Sequence, residues 1–194
     1  MPNLTAGTIA GRRYNVGDTG PGGGIVYMTP TYQSPYVGLT NTTGQYYECA
    51  PATWDGGNID PQYTFGCYDN EGPHLCPTSS NAIGTGLSNS QCYYNACAAR
   101  PIAVSKALDL TLNGYSDWFL PSTYEITVLQ HQLVDYGNIF GLNLNDFYWG
   151  STDYSPAQAS CIYMVDTHKI GAAFVDKYAN YWVKPVRSFY ARYE

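Results

Sequence analysis

The chain has 194 residues, a formal net charge of −6 and 12% charged residues, about half the share of an average domain. That length suits one domain with a real core, the 15% aromatic content excludes a disordered chain, and no Lys/Arg run offers a phosphate-tracking surface to nucleic acid. No stretch approaches the ~18–20 apolar residues of a membrane span, and the first thirty residues lack a basic start followed by an apolar run, so neither membrane insertion nor a secretory leader is expected.

Residues 1–20 are polar and Gly/Thr-rich and read as an extended N-terminal arm, with residues 21–194 forming the domain. GPGGG (20–24) invites comparison with a phosphate loop, but it lacks the Gly-Lys-Ser/Thr ending and precedes a strand, GGGIVYM (22–28). A tight glycine turn is the simpler reading. From 29 to 97 turn signals dominate, as in NTTG, WDGGNIDP and IGTGLSNS. So long a segment is expected to be functional, cross-linked or both.

The six cysteines, an even number set among Tyr/Asn/Ser/Gly-rich loops, suit a protein outside the cell. Disulfides over the long loop segment are expected, with Cys67–Cys76 and Cys92–Cys97 as local pairs, although the spacing does not choose a connectivity. Cys161 falls on a strand and reads as a buried thiol. A zinc cluster of Cys67, His74, Cys76, Cys92 and Cys97 is disfavoured because no CxxC pair occurs. WDGGNID (54–60) and YDNEG (68–72) carry oxygens for an incidental calcium ion, but in no EF-hand spacing, and ordinary Asx turns account for them. No cofactor is expected.

Residues 96–114 have a helical interior, with Ile102, Ala103, Lys106, Ala107 and Leu110 near one face and Gly114 as a stop. Ser122-Thr123-Tyr124-Glu125 is a capping box. It opens a second helix through Tyr136, with Ile126, Leu129 and Leu133 inward and His131 on the exposed side. After Gly141 the period becomes two. FYWGST (147–152), SCIYMVDT (160–167), IGAAFVD (170–176) and YWVKPVRSF (181–189) read as four strands, with a hairpin at THK (167–169). The class is α+β, with two helices, antiparallel sheets and terminal strands that pair to close the domain.

Between the helices runs GYSDWFLPSTYE (114–125). Asp117 can accept from the turn while Trp118 packs over it, and Pro121 fixes the backbone before the Ser122 cap. The stretch reads as a rigid corner, and Arg187 on the last strand is expected to pair with Asp117. Trp118, Trp149 and Arg187 are assigned to structure. Taken with GDTGPGGGIVY (17–27), YWGST (148–152) and VKPVRSF (183–189), the corner resembles the Lcl C-terminal domain family over about residues 17–190. That family's usual runs are D-W-R-L-P-(S/T)-x-x-E-L, Y-W-S-S-T and V-R-P-V-R. Phe119, Ile126, Gly150 and Lys184 depart from them, while the corner, the cap and the last strand are retained. The resemblance implies a C-type-lectin-like fold and a setting in phage virions or on bacterial surfaces.

No Ser–His–Asp or Cys–His arrangement follows from the positions of His74, His131 and His168, and no enzymatic role is expected. Calcium-lectin signatures are absent, as are the cysteine pair and arginine-rich ends of copper oxidases on this fold. Twenty tyrosines, many in loops, supply the chemistry of an adaptable contact surface. Asp153, Tyr154, Tyr178, Asn180 and Tyr181 are the expected contact residues. The sequence thus points to a structural or decoration protein of a virion, docked on other subunits through its arm. The alternative is a tail-fibre or bacterial surface adhesin that recognises a host glycan or protein.

Overall fold

The computed structural model describes residues 12–68, 76–168 and 171–191. Eight strands and three helices are found among them: β1 (Ile25–Met28), β2 (Tyr46–Cys49), β3 (Gln62–Thr64), α1 (Gly86–Ala96), α2 (Ala103–Leu108), α3 (Thr123–Tyr136), β4 (Phe147–Asp153), β5 (Gln158–Tyr163), β6 (Ala172–Asp176), β7 (Asn180–Trp182) and β8 (Val186–Phe189). They form a three-stranded sheet, β1-β2-β8, and a five-stranded sheet, β3-β7-β4-β5-β6. The fold is therefore α+β.

α3 starts as its capping box dictates: Ser122 Oγ accepts from the Glu125 N–H at 3.3 Å, and Glu125 Oε2 accepts from the Ser122 N–H at 2.7 Å. Ile126, Leu129 and Leu133 turn inward onto Tyr27, Tyr47, Tyr148 and Ile162, and Gly137, at φ 72°, ends the helix. The same Glu125 carboxylate accepts from Gly84 N–H at 2.8 Å and Gly86 N–H at 3.4 Å. It thereby occupies the N-terminus of α1, whose own N-cap Thr85 makes no side-chain cap bond. A Cβ on Gly86 would collide with that carboxylate, so glycine is required there.

α1 lies inside the segment read as turns. Its buried residues Gly86, Asn89, Ser90 and Tyr93 sit at helical spacing, but three of the four are small or polar. Hydrogen bonds hold them in place. Asn89 bridges Ser80 N–H and C=O at 3.0 and 2.7 Å, and Ser90 Oγ exchanges bonds with the Leu120 backbone at 3.1 Å. The helix expected over 96–114 contracts to α2. Cys97 caps α1, and Arg100 donates to the carbonyls of Tyr94, Cys97 and Ala99 at that helix's end.

The terminal strands share a sheet but are not neighbours, because β2 lies between β1 and β8 and is antiparallel to both. The run 181–189 divides at Lys184-Pro185 into β7 and β8, one in each sheet. Proline has no N–H for a ladder, and its carbonyl instead accepts from Ala50 N–H at 2.9 Å. β5 and β6 pair antiparallel as expected, and residues 169–170 of their connection lie outside the described residues. Of the N-terminal arm, residues 1–11 also lie outside the described residues. Residues 12–20 lie against the body: Gly17 N–H reaches Val26 O at 2.8 Å, and Tyr14 packs edge-on to Tyr46 and Phe189. Two large apolar clusters fill the interior. One gathers Trp118, Trp149, Phe65 and Tyr93 between α1, α2 and the five-stranded sheet, and the other packs α3 on the three-stranded sheet.

Candidate functional site

The glycine run 20–24 wraps an internal anion. Gly22 and Gly24 N–H groups donate to the two oxygens of the buried Glu48 carboxylate on β2, each at 2.9 Å. A Cβ at Gly22 would stand 2.8 Å from Trp118, Arg187 and Glu48, and one at Gly24 2.5 Å from the Cys49 carbonyl. The resemblance to a phosphate loop is thus physical, but the protein supplies the anion itself. Arg187 Nη1 donates to Glu48 at 2.7 Å, while Nε and Nη2 grip Asp117 at 2.7 and 2.8 Å. The expected pairing of Asp117 with Arg187 is present, and Glu48 is the third member that the sequence reading missed.

Two further ion pairs are buried. Lys184 reaches Asp60 at 2.8 Å and the carbonyls of Ala50 and Phe140 at 3.2 Å, while Tyr148 and Trp54 also donate to Asp60. Lys177 pairs with Asp153 at 2.8 Å, and burial lowers the lysine's pKa against that carboxylate's pull. The carboxylates of WDGGNID are therefore occupied, Asp60 as above and Asp55 by Lys106. Part of YDNEG lies outside the described residues. Among the described residues no group of three or more His, Cys, Asp or Glu is placed to hold a metal ion, and no helix is long and apolar enough to cross a membrane.

The four loop cysteines are bonded in a connectivity other than the local one: Cys67–Cys97 and Cys76–Cys92. α1 explains the difference, because it places Cys92 and Cys97 against the segments on either side of residues 69–75. Cys161 is buried as expected, and so is Cys49. Burial pushes both thiols up to about 12, which leaves them protonated and unreactive. His131 is not exposed but wholly buried. Its Nδ1 faces Ser34 Oγ at 3.5 Å, and its ring stands edge-on to Tyr36 and His168. Burial first, then neighbouring His168, lowers its pKa, while Asp135 opposes them.

Of the five expected contact residues, four lie around one end of the five-stranded sheet. Tyr154 is 60% exposed and stacks on Phe174 at 4.1 Å, with an interplanar angle of 18°. Tyr178 is 56% exposed, meets Tyr68 edge-on and donates to Asp176 Oδ2 at 3.0 Å. Tyr181 and Tyr178 line a shallow cavity of about 440 Å³ with Gln158, Phe174 and Asp176. Asn180 is exposed at the start of β7, opposite Thr64. Asp153 differs. Its side chain is fully buried, taken up by Lys177 and by Cys76 N–H at 2.8 Å, so it anchors the disulfide loop. Phe174 and Tyr68 were missed, although the alternation in AAFVD, with Ala173 and Val175 inward, sets Phe174 outward. Neither a protein-family model nor a curated protein matches the chain.

Proposed function

We propose that the chain is a non-catalytic, C-type-lectin-like display module of a virion, and that the aromatic rim of Tyr154, Phe174, Tyr178 and Tyr68 grips another macromolecule, foremost a neighbouring particle subunit. The observation that carries this is the rim itself. Large rings stand exposed in two pairs, Tyr154 on Phe174 and Tyr178 against Tyr68, with Tyr68 next to the disulfide-bonded Cys67 and Tyr154 next to Asp153, which holds the Cys76 N–H. Preset rings lose little side-chain entropy on contact and bury large area, which is how aromatic anchors act in interfaces. The ionisable groups in the interior support the same reading. Glu48, Asp60 and Asp153 are each held in ion pairs with Arg187, Lys184 and Lys177, an arrangement that stiffens a scaffold. The virion setting rests on the resemblance in the corner and last-strand motifs.

The test combines location and contact. Mass spectrometry of purified particles is expected to detect the chain at fixed stoichiometry. The triple variant Y154A/F174A/Y178A should melt like the unaltered chain, since exposed rings carry little stability, yet fail to incorporate or fall off at low salt. Incorporation of the triple variant at the normal level would overturn the role of the rim. Absence of the chain from particles would overturn the setting.

A further inference from the structure

A second concave site lies on the other sheet, beside the edge strand β8. The cavity measures about 520 Å³, within the ~300–1,000 Å³ range of small-molecule sites. Its walls include Arg12, Tyr14, Tyr115, Asp117, Arg187 and Phe189. The walls are fixed before any ligand arrives. Tyr14 is wedged edge-on to Tyr46 at 5.5 Å and to Phe189 at 5.2 Å, with Arg12 over its ring at 5.0 Å. Tyr115 lies over the Arg187 guanidinium at 4.1 Å.

We infer that this groove binds a neutral, hydroxyl-rich saccharide, a site separate from the aromatic rim and independent of it. Asp117 is aimed by two charge-assisted bonds from Arg187, yet its side chain remains 51% exposed. An ionised carboxylate offers about four acceptor positions, so lone pairs remain for hydroxyl donors. Arg187 itself is almost wholly buried and spent on Glu48 and Asp117, so its part is to aim the carboxylate, not to meet the ligand. Gln45 and Ser188, also on the lining, add groups that both donate and accept. Acceptors and donors side by side match vicinal hydroxyls, which do both. Aromatic walls match the C–H faces of a sugar ring. Charge decides against other ligands. Arg12 and Arg187 are balanced by Asp117 and Glu48, and of these only Arg12 and Asp117 are open to the groove, so a sulfated or phosphorylated ligand meets Asp117 and a cationic one meets Arg12.

The experiment titrates the full chain with neutral tetrasaccharides of the cello, malto, manno and chito series, and with a heparin tetrasaccharide, by calorimetry and saturation-transfer NMR. At least one neutral series is expected to bind in the micromolar-to-millimolar range. Tyr115→Ala and Asp117→Asn should each weaken it about tenfold or more, and Tyr136→Ala, on the far end of α3, should leave it unchanged. Thermal melts identify any variant that fails to fold, and Tyr14→Ala then replaces it. The inference is overturned if no neutral tetrasaccharide shows transfer, if Tyr115→Ala and Asp117→Asn bind as tightly as the unaltered chain, or if the heparin fragment binds best.

Discussion

Replacing Arg187 by alanine isolates the central electrostatic joint. The guanidinium is almost wholly buried and links three separated pieces of chain: the corner at Asp117, Glu48 on β2, and through Glu48 the glycine run. Its loss leaves the two acids in different positions. Asp117 is half exposed and rehydrates readily, whereas Glu48 stays buried with only the Gly22 and Gly24 N–H groups. Removing one partner of a buried pair costs about 3–5 kcal/mol. The exposed half of the joint moves the expectation to the lower end, about 3 kcal/mol. In a domain of this size about 1 kcal/mol shifts Tm by ~2–4 °C, so a fall of roughly 6–12 °C is expected by calorimetry. Arg187→Lys keeps a charge but cannot grip both acids and should fall between the two. A double-mutant cycle should give stronger coupling of Arg187 to Glu48 than to Asp117. A Tm shift under about 2 °C, or coupling carried mainly by Asp117, would refute the reasoning.

Glu125→Ala removes the acceptor at two helix starts and is expected to cost about 2 kcal/mol, one cap's worth of about 1 for each of α1 and α3, measurable by urea denaturation. Gly86→Ala should be at least as damaging, since its Cβ collides with the same carboxylate. Reduction under native conditions should add four protons by mass, and Cys49 and Cys161 should resist alkylation until unfolding. Sequence separations of 30 and 16 predict about 3.6 kcal/mol lost on removing Cys67–Cys97 and about 3 kcal/mol on removing Cys76–Cys92. His131 stays neutral in the fold because burial and His168 lower its pKa, whereas the unfolded chain takes up that proton below about pH 6.5. The unfolded state then binds more protons, so stability should fall as pH drops through 6.5 and recover as it rises. His131→Gln should flatten that part of the Tm–pH curve, and an unchanged slope would count against the assignment.

The capping box, the corner and the period-two C-terminal half were legible because each is local. Ser122 needs only Glu125 three residues on, and β5–β6 needs only alternation. α1 was not legible because its inward face is Gly86, Asn89, Ser90 and Tyr93, which lacks the apolar stripe that marks a helix. β2 escaped for a related reason. YYEC is buried throughout, and its Glu48 looks like a surface residue until Arg187 and the glycine run are brought to it from opposite ends of the chain. The same limit governs the site. Tyr154 and Tyr178 were identified as loop tyrosines, while Asp153 looked equally exposed because its partner Lys177 lies across the sheet.

Where the few charges sit bears on how the surface grips. Glu48, Asp60, Glu125 and Asp153 are interior acids, bonded to basic side chains or helix-terminal N–H groups. Interior Arg187, Lys184 and Lys177 offset three of these four acids, so the outside keeps nearly all of the chain's net charge of −6, and the make-up of the rim itself decides how it grips. The exposed rim consists of three tyrosine rings and Phe174, with the Asp176 carboxylate beside them, and Tyr178 already donates to it. Contact through such a rim buries aromatic area without pairing ions, so screening by salt has little to act on. Raising ionic strength from 50 to 500 mM should accordingly change the affinity of the rim for its partner by less than about threefold, measured by surface plasmon resonance on immobilised particles. A steep loss with salt would mean that ion pairs carry the contact, and the rim would not be the surface that binds.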